Sequence, residues 1–247
     1  MNCLYVNLGE TMNKFEQIYE TLYHMYGPQG WWPLITKKKT ALCCEYHPKK
    51  FNIPKTRSQK YEICIGAILT QNTAWRNVVK ALINLYQIKA LSPKKIQTIQ
   101  IDLLKEAIRP AGYFNQKAKK IQAFNDFYCQ LDNQVPSRDA LLSVWGIGPE
   151  TADSMLLYAY KQLSFVVDTY TRRIFTNLGL IQENMKYDAI KTTFENNLIA
   201  DLEIYQEYHA LIVQHAKHYY QKKDKYALDP LLKSEPFIAH KYILGAF

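Results

Sequence analysis

Apolar residues along this chain recur mostly every three to four positions, the period of a helix with one buried face. Lys14–Tyr26 sets Phe15, Ile18, Tyr19, Leu22 and Tyr23 on one stripe. Tyr61–Leu69 is almost continuously apolar, and Asn77–Leu85 continues with Val78, Val79, Leu82, Ile83 and Leu85. Similar spacing predicts helices over Ile96–Ile108, Gln116–Tyr128, Arg138–Val144, Glu150–Tyr160, Thr169–Leu178, Tyr187–Asn196 and Ile204–Tyr220. Breaks fall at Gly27–Gly30, Pro54, Ser92-Pro93, Arg109–Gly112, Pro136-Ser137 and Gly146–Pro149, where glycine or proline interrupts the helical period. No two-residue alternation bounded by hairpin turns is evident, so the expected class is all-α. Residues 31–60, with Pro33, Pro48 and Pro54 and no helical stripe, read as an irregular surface segment.

At 247 residues the chain is long enough for one large domain or two small lobes. With 48% hydrophobic and 21% charged residues it can build a core, which excludes general disorder. No apolar run approaches the ~20 residues of a membrane span, and the first residues lack the pattern of a secretory signal. The expected setting is therefore the cytoplasm. The five cysteines, Cys3, Cys43, Cys44, Cys64 and Cys129, form no C-x-x-C pair and read as reduced thiols rather than metal ligands.

A net charge of +9 suggests a polyanionic partner. Small basic clusters recur at Lys37–Lys39, Lys49-Lys50, Lys94-Lys95, Lys117/Lys119-Lys120, Arg172-Arg173 and Lys222-Lys223. Gathered on one face they would follow a phosphate backbone; left scattered they are solvated surface.

The most informative stretch is Leu141–Tyr160, LLSVWGIGPETADSMLLYAY. Gly146-Ile147-Gly148 allows a tight turn between two helices, with Ile147 plugging the gap and Pro149 in the first turn of the second helix at no hydrogen-bond cost. The turn amides and the start of that helix suit a phosphate oxygen, although a plain packing hairpin would look similar. Val166-Val167-Asp168-Thr169 then leads into a new helix. Asp168 fits an N-cap worth ~1 kcal/mol or a functional carboxylate.

Together these features resemble the helix-hairpin-helix DNA glycosylases of the endonuclease III superfamily. Gly66–Thr73 (GAILTQNT) and Arg109–Lys119 (RPAGYFNQKAK) match two further family segments, in family order. The resemblance implies two helical lobes with a cleft between them: residues 62–170 as the central lobe, with the hairpin at 141–160, and residues 1–61 with 171–247 as the other. It makes Asp168 catalytic. Gln71 or Asn72 would fill the gap left by an extruded nucleotide. Gly146, Ile147, Gly148, Glu150 and Thr151 of the hairpin, with Lys117 and Arg172, would contact double-stranded DNA carrying a damaged base. A monomer is expected.

Two departures narrow the resemblance. Bifunctional members carry a lysine two residues after the second hairpin glycine; here Glu150 stands there, and a carboxylate forms no imine. Family members with an iron–sulfur cluster hold it by four cysteines near the C-terminus. Here Tyr220, Tyr226 and Asp229 fall about where thiolates would be, and no cysteine follows Cys129. No cofactor is expected, apart from a monovalent cation that hairpin carbonyls are able to coordinate in the family. With Trp31-Trp32-Pro33 upstream, the chain is most similar to the endonuclease III-type 3-methyladenine DNA glycosylases. That resemblance implies monofunctional removal of alkylated purines, with Trp31, Trp32 and Pro33 forming the base pocket. The alternatives are a glycosylase for oxidised or mismatched bases with abasic-site lyase activity, and a non-catalytic hairpin DNA-binding protein. His209 and His215, without evident partners in the sequence, are expected at the surface or in packing.

Overall fold

The computed structural model describes residues 12–221 and 226–233. Cys3 and the Lys222-Lys223 pair lie outside them. The described residues form an all-α protein with one small β-hairpin. By internal contacts the chain divides into two units. The larger comprises residues 28–168 and 200–210, the smaller residues 1–27, 169–199 and 211–247. Residues 28–61, expected with the N-terminal lobe, thus group with the central helices.

In the larger unit, β1 (Leu34–Lys38) pairs antiparallel with β2 (Ala41–Glu45), Thr36 opposite Cys43. This corrects the irregular reading of the segment. Its turn is Lys39-Thr40, with Lys39 at φ 54°, rather than the Asn-Gly or Gly-x that signals a hairpin. Next comes α2 (Arg57–Leu69), started by a reciprocal cap between Thr56 and Gln59. Every residue from Tyr61 to Leu69 is buried, as expected of a helix apolar on all sides. Around it pack α3 (Trp75–Gln87), β1, α6 (Phe114–Gln130) and the hairpin helix α8 (Pro149–Ser154). Tyr61 donates to Asn125 Oδ1 at 2.6 Å, anchoring α2 to α6.

The run expected as one helix over Ile96–Ile108 is two, α4 (Pro93–Thr98) and α5 (Ile101–Ile108). Between them Ile99 and Gln100 are extended. The Glu150–Tyr160 run begins as α8 and widens into a π turn at Met155–Ala159.

In the smaller unit, α1 (Lys14–Tyr26), α9 (Thr169–Asn177) and α10 (Tyr187–Asn197) share an aromatic core. Phe15, Phe175 and Phe194 meet with ring centroids 4.5–5.4 Å apart. Asn13 and Glu16 form a reciprocal cap on α1. Helix α11 (Leu202–Tyr219) contributes its first residues to the larger unit and its later ones to the smaller.

Candidate active site

The hairpin runs from α7 (Arg138–Leu142) through Gly146-Ile147-Gly148 into α8. Ile147 is buried, as its role as a plug requires. Gly146 sits at φ 85°, and a Cβ there would lie 2.5 Å from Lys120 Cγ, so both conformation and space demand glycine. Gly148 caps α8 with extended backbone, and a Cβ there would meet nothing within 4 Å. The hairpin is fixed from behind by Asp153, which is fully buried. Arg138 Nε donates to its Oδ1 at 2.8 Å, and Ser164 Oγ donates to the same oxygen at 2.7 Å. One carboxylate thus joins α7, α8 and the segment leading to Asp168.

The structure separates the two wedge candidates. Gln71 Nε2 donates to Gly146 O at 3.1 Å and Thr151 Oγ1 at 3.0 Å, while its Oε1 accepts from Lys120 Nζ at 2.5 Å. Gln71 is therefore tied to the hairpin, and Thr151 is buried against it rather than presented outward. Asn72, exposed at φ 52°, forms the tip of the loop.

Lys117 is the clearest correction. It was expected among the DNA contacts, but only 2% of it is exposed. Its ammonium donates to Leu69 O at 2.8 Å, Thr73 Oγ1 at 2.5 Å and Ala111 O at 2.9 Å, one acceptor for each proton. Burial, and after it the charge of Lys120, push its pKa down to about 8. Arg172 is also engaged internally, donating from Nη1 to Met185 O at 2.5 Å. Large aromatics that sequence reading passed over stand exposed nearby: Trp145 (56%) beside the hairpin and Tyr113 (72%) just before α6.

Asp168 follows the buried run Phe165–Val167, and 13% of its side chain is exposed. His209 Nε2 lies 3.9 Å from its Oδ2. Glu150 is exposed as a residue, yet desolvation around its carboxyl, and second the charge of Asp168, push it up to about 7. Beside these groups lies a cage of rings. Trp31 and Trp75 are nearly parallel, 25° apart with centroids separated by 6.5 Å. Trp32 meets Trp75 edge-on at 5.6 Å and Tyr158 at 5.3 Å, and His209 meets Trp31 edge-on at 5.6 Å. Trp32 and Pro33 are buried. Gly66 on α2 lets Trp32 approach: a Cβ there would lie 3.1 Å from the indole nitrogen. Glu207 on α11 accepts from the Gln29 amide, fixing the chain just before Trp31.

Trp75, Tyr158 and His209 are the site residues that the sequence reading missed. Trp75 stands two residues after the Leu69–Thr73 loop, which was its one available signal. Of the histidines of α11, His209 and His215 are buried, each with a carboxylate within 4 Å that the sequence did not reveal. His215 Nε2 lies 2.9 Å from Asp229 Oδ1, and its Nδ1 lies 2.9 Å from Tyr26 OH. Asp229 also accepts from Tyr220 OH at 2.6 Å and the Leu231 amide at 2.8 Å. Tyr220 is buried in this network, whereas Tyr226, expected to pack with it, is exposed. Two phenols and a carboxylate already committed to three hydrogen-bond partners are not a thiolate set, so these residues do not fit an iron–sulfur cluster.

The chain's relatives agree with this architecture. Residues 65–198 match the model of the HhH-GPD superfamily base excision DNA repair proteins. A Methanocaldococcus jannaschii protein with the provisional name DNA repair glycosylase is 45% identical, the match covering 85% of this chain and 92% of that one. Endonuclease III of Sulfolobus acidocaldarius is 30% identical over 66% of this chain and 74% of its own. Among solved structures, the H. pylori 3-methyladenine DNA glycosylase bound to 1,N6-ethenoadenine superposes with a TM-score of 0.65 at 27% identity, covering 83% of this chain and 98% of that one. An endonuclease III–DNA complex shares the fold, with a TM-score of 0.69 at 18% identity and coverage of 90% and 95%. By this family match and these relatives, the chain belongs to the HhH-GPD superfamily and is a base excision repair DNA glycosylase of the endonuclease III type.

Proposed function

We propose that this glycosylase is monofunctional and removes alkylated purines such as 3-methyladenine from double-stranded DNA. The observation that carries the reading is the ring cage beside Asp168. The Trp31 and Trp75 centroids, 6.5 Å apart, approach the ~7 Å that two stacking contacts of ~3.5 Å would span around a planar base. N3-alkylated adenine is cationic, and a cation held between indole faces gains about 0.5–2 kcal/mol over a neutral base. The H. pylori relative, named for 3-methyladenine and crystallised with an ethenoadenine, supports the same class.

The chemistry follows from charge. A cationic base leaves as a neutral molecule when the C1′–N bond breaks, so it needs no general acid. Asp168 is the catalytic carboxylate. It stabilises the oxocarbenium-like sugar or takes the proton of the attacking water. Asn72 fills the space of the extruded nucleotide, whose extrusion costs a few kcal/mol. The turn holds a backbone phosphate through the Gly146 and Gly148 amides, that of Ile147 being committed to Val144 O at 3.0 Å. Glu150, in place of an amine nucleophile, makes the enzyme hydrolytic. No iron–sulfur cluster takes part, and the protein acts as a monomer.

The test is release of bases from methylated duplex DNA, separated by chromatography, with strand nicking scored in parallel. Wild type is expected to release 3-methyladenine without nicking, and Asp168→Asn to release it roughly 10²–10⁴-fold more slowly while still binding the duplex. A covalent adduct trapped in good yield by borohydride, or full turnover by Asp168→Asn, would refute the reading.

A further inference from the structure

His209 is the group nearest Asp168 whose chemistry the reaction above does not use. It is 4% exposed on α11, enclosed by Trp31 and Tyr158. Its Nδ1 lies 2.7 Å from Tyr158 OH, and that hydroxyl donates to the Gln206 carbonyl at 3.1 Å. Gln206 is held in turn, its Nε2 donating to Leu157 O at 2.9 Å. A phenol has one proton and a carbonyl has none. With the phenol proton given to Gln206 O, the Tyr158–His209 bond requires the proton on Nδ1. The imidazole then presents an unprotonated Nε2 to Asp168 Oδ2, 3.9 Å away. Two acceptors at that distance are too far apart for a direct hydrogen bond and have no proton to share. One water that donates to both bridges them.

We propose that His209 is a positioning residue: its bare Nε2 and the Asp168 carboxylate together hold the water that attacks C1′, with Tyr158 and Gln206 fixing the tautomer. The inference rests on the hydrolytic reading above. With both protons engaged, the water's lone pairs point away from the pair, toward the sugar. As the C1′–N bond breaks and its electron pair leaves with the base, the water oxygen bonds to C1′ and its proton passes to Asp168. Burial lowers the pKa of His209, which keeps the imidazole neutral. Asp168 faces it directly and Tyr158 is its hydrogen-bond partner; one step further out, the charge of Asp168 reaches Glu150 and that of Glu207 reaches Tyr158. On acidification a protonated Nε2 becomes a donor, binds Asp168 itself and displaces the water, which gives turnover an acid limb.

Two substitutions separate positioning from packing. The amide of His209→Gln reaches the place of Nε2 and offers an acceptor there, whereas that of His209→Asn reaches only the place of Nδ1. Turnover on methylated duplex is expected to fall about 10²-fold in His209→Asn, the size of a misplaced reactant, and less than 10-fold in His209→Gln. Affinity for the duplex should be unchanged in both, and the acid limb should be absent from His209→Gln. Turnover of His209→Asn within threefold of wild type, equal losses in the two variants, or an unaltered acid limb in His209→Gln would overturn the proposal. A second measurement needs no substrate: the imidazole titration of His209, followed by nitrogen-15 NMR in wild type and Asp168→Asn. Loss of the facing carboxylate should lower the His209 pKa, and an unmoved titration overturns the proposal by itself. Wild type that releases no alkylated base would defeat the substrate reading, and the titration would still judge the pair.

Discussion

The two hairpin glycines make different demands, and substituting each with alanine tests the geometry of the turn. At Gly146, alanine must adopt φ 85°, which costs an L-residue about 1–2 kcal/mol. Its Cβ would also fall 2.5 Å from Lys120 Cγ. Lys120 must move, giving up its bond to Gln71 Oε1, a charge-assisted contact worth about 1.5–3 kcal/mol in a protected setting and less here, where it is part-buried. The reduced freedom of the unfolded chain returns about 0.4–1 kcal/mol. The net expectation for Gly146→Ala is a loss of about 2 kcal/mol, or about 0.5–1 M in urea midpoint at unchanged slope. Gly148 has φ −97° and open space where a Cβ would go. Alanine there loses a little as a helix cap and gains a little from the unfolded state, so the net change should stay within about 0.5 kcal/mol. Urea unfolding of both variants beside wild type decides the matter. Equal midpoints for Gly146→Ala and wild type, or equal losses in the two variants, would refute this account of the turn.

Removing the buried carboxylate of Asp153 takes the shared acceptor from Arg138 and Ser164 and unties three segments; Asp153→Ala should cost about 3 kcal/mol in urea unfolding, and a loss below 1 kcal/mol would contradict the network. Lys117→Met takes the lysine donor from Leu69 O and leaves Ala111 O with the Thr73 hydroxyl alone, with an expected loss of about 2 kcal/mol and faster amide exchange across Leu69–Thr73; unchanged exchange would show that the lysine does not hold the loop. Glu150 binds its proton more tightly in the folded protein, with a pKa of about 7, than in the unfolded chain. It therefore favours folding least above pH 7, and the stability gained by Glu150→Gln should be absent near pH 4, grow as pH rises to 7 and then level off. A gain independent of pH would refute the shift.

Some of this structure was legible because its causes are local. The stripe Phe15, Ile18, Tyr19, Leu22 faces one core and needs no distant partner to be recognised. The hairpin was legible because glycine at φ 85° and proline in a first helical turn are chemically constrained choices. The β-hairpin was not, since Lys39-Thr40 is an uncharacteristic turn and β1 buries adjacent rather than alternate residues. Lys117 misled because a lysine reads as surface; the three acceptors that hold it come from positions 69, 73 and 111, which only folding brings together. For the same reason His209 looked unpartnered. Its carboxylate lies on another segment, 41 residues earlier in the chain.

The double tether of the Leu69–Thr73 loop, by Lys117 and by Gln71, has a thermodynamic consequence for lesion search. Ordering a mobile loop on contact with DNA would cost about 0.5–1.5 kcal/mol for each side chain immobilised. Here Leu69, Gln71 and Thr73 are tethered before any DNA is met, so encounter needs little ordering beyond Asn72 and its rate is set by diffusion and charge. A glycosylase that must sample a great many undamaged base pairs for each damaged one would then spend little time at each. Heat-capacity changes on binding undamaged duplex should accordingly be small, and the residual cost of discrimination falls on the DNA, whose base pair must open.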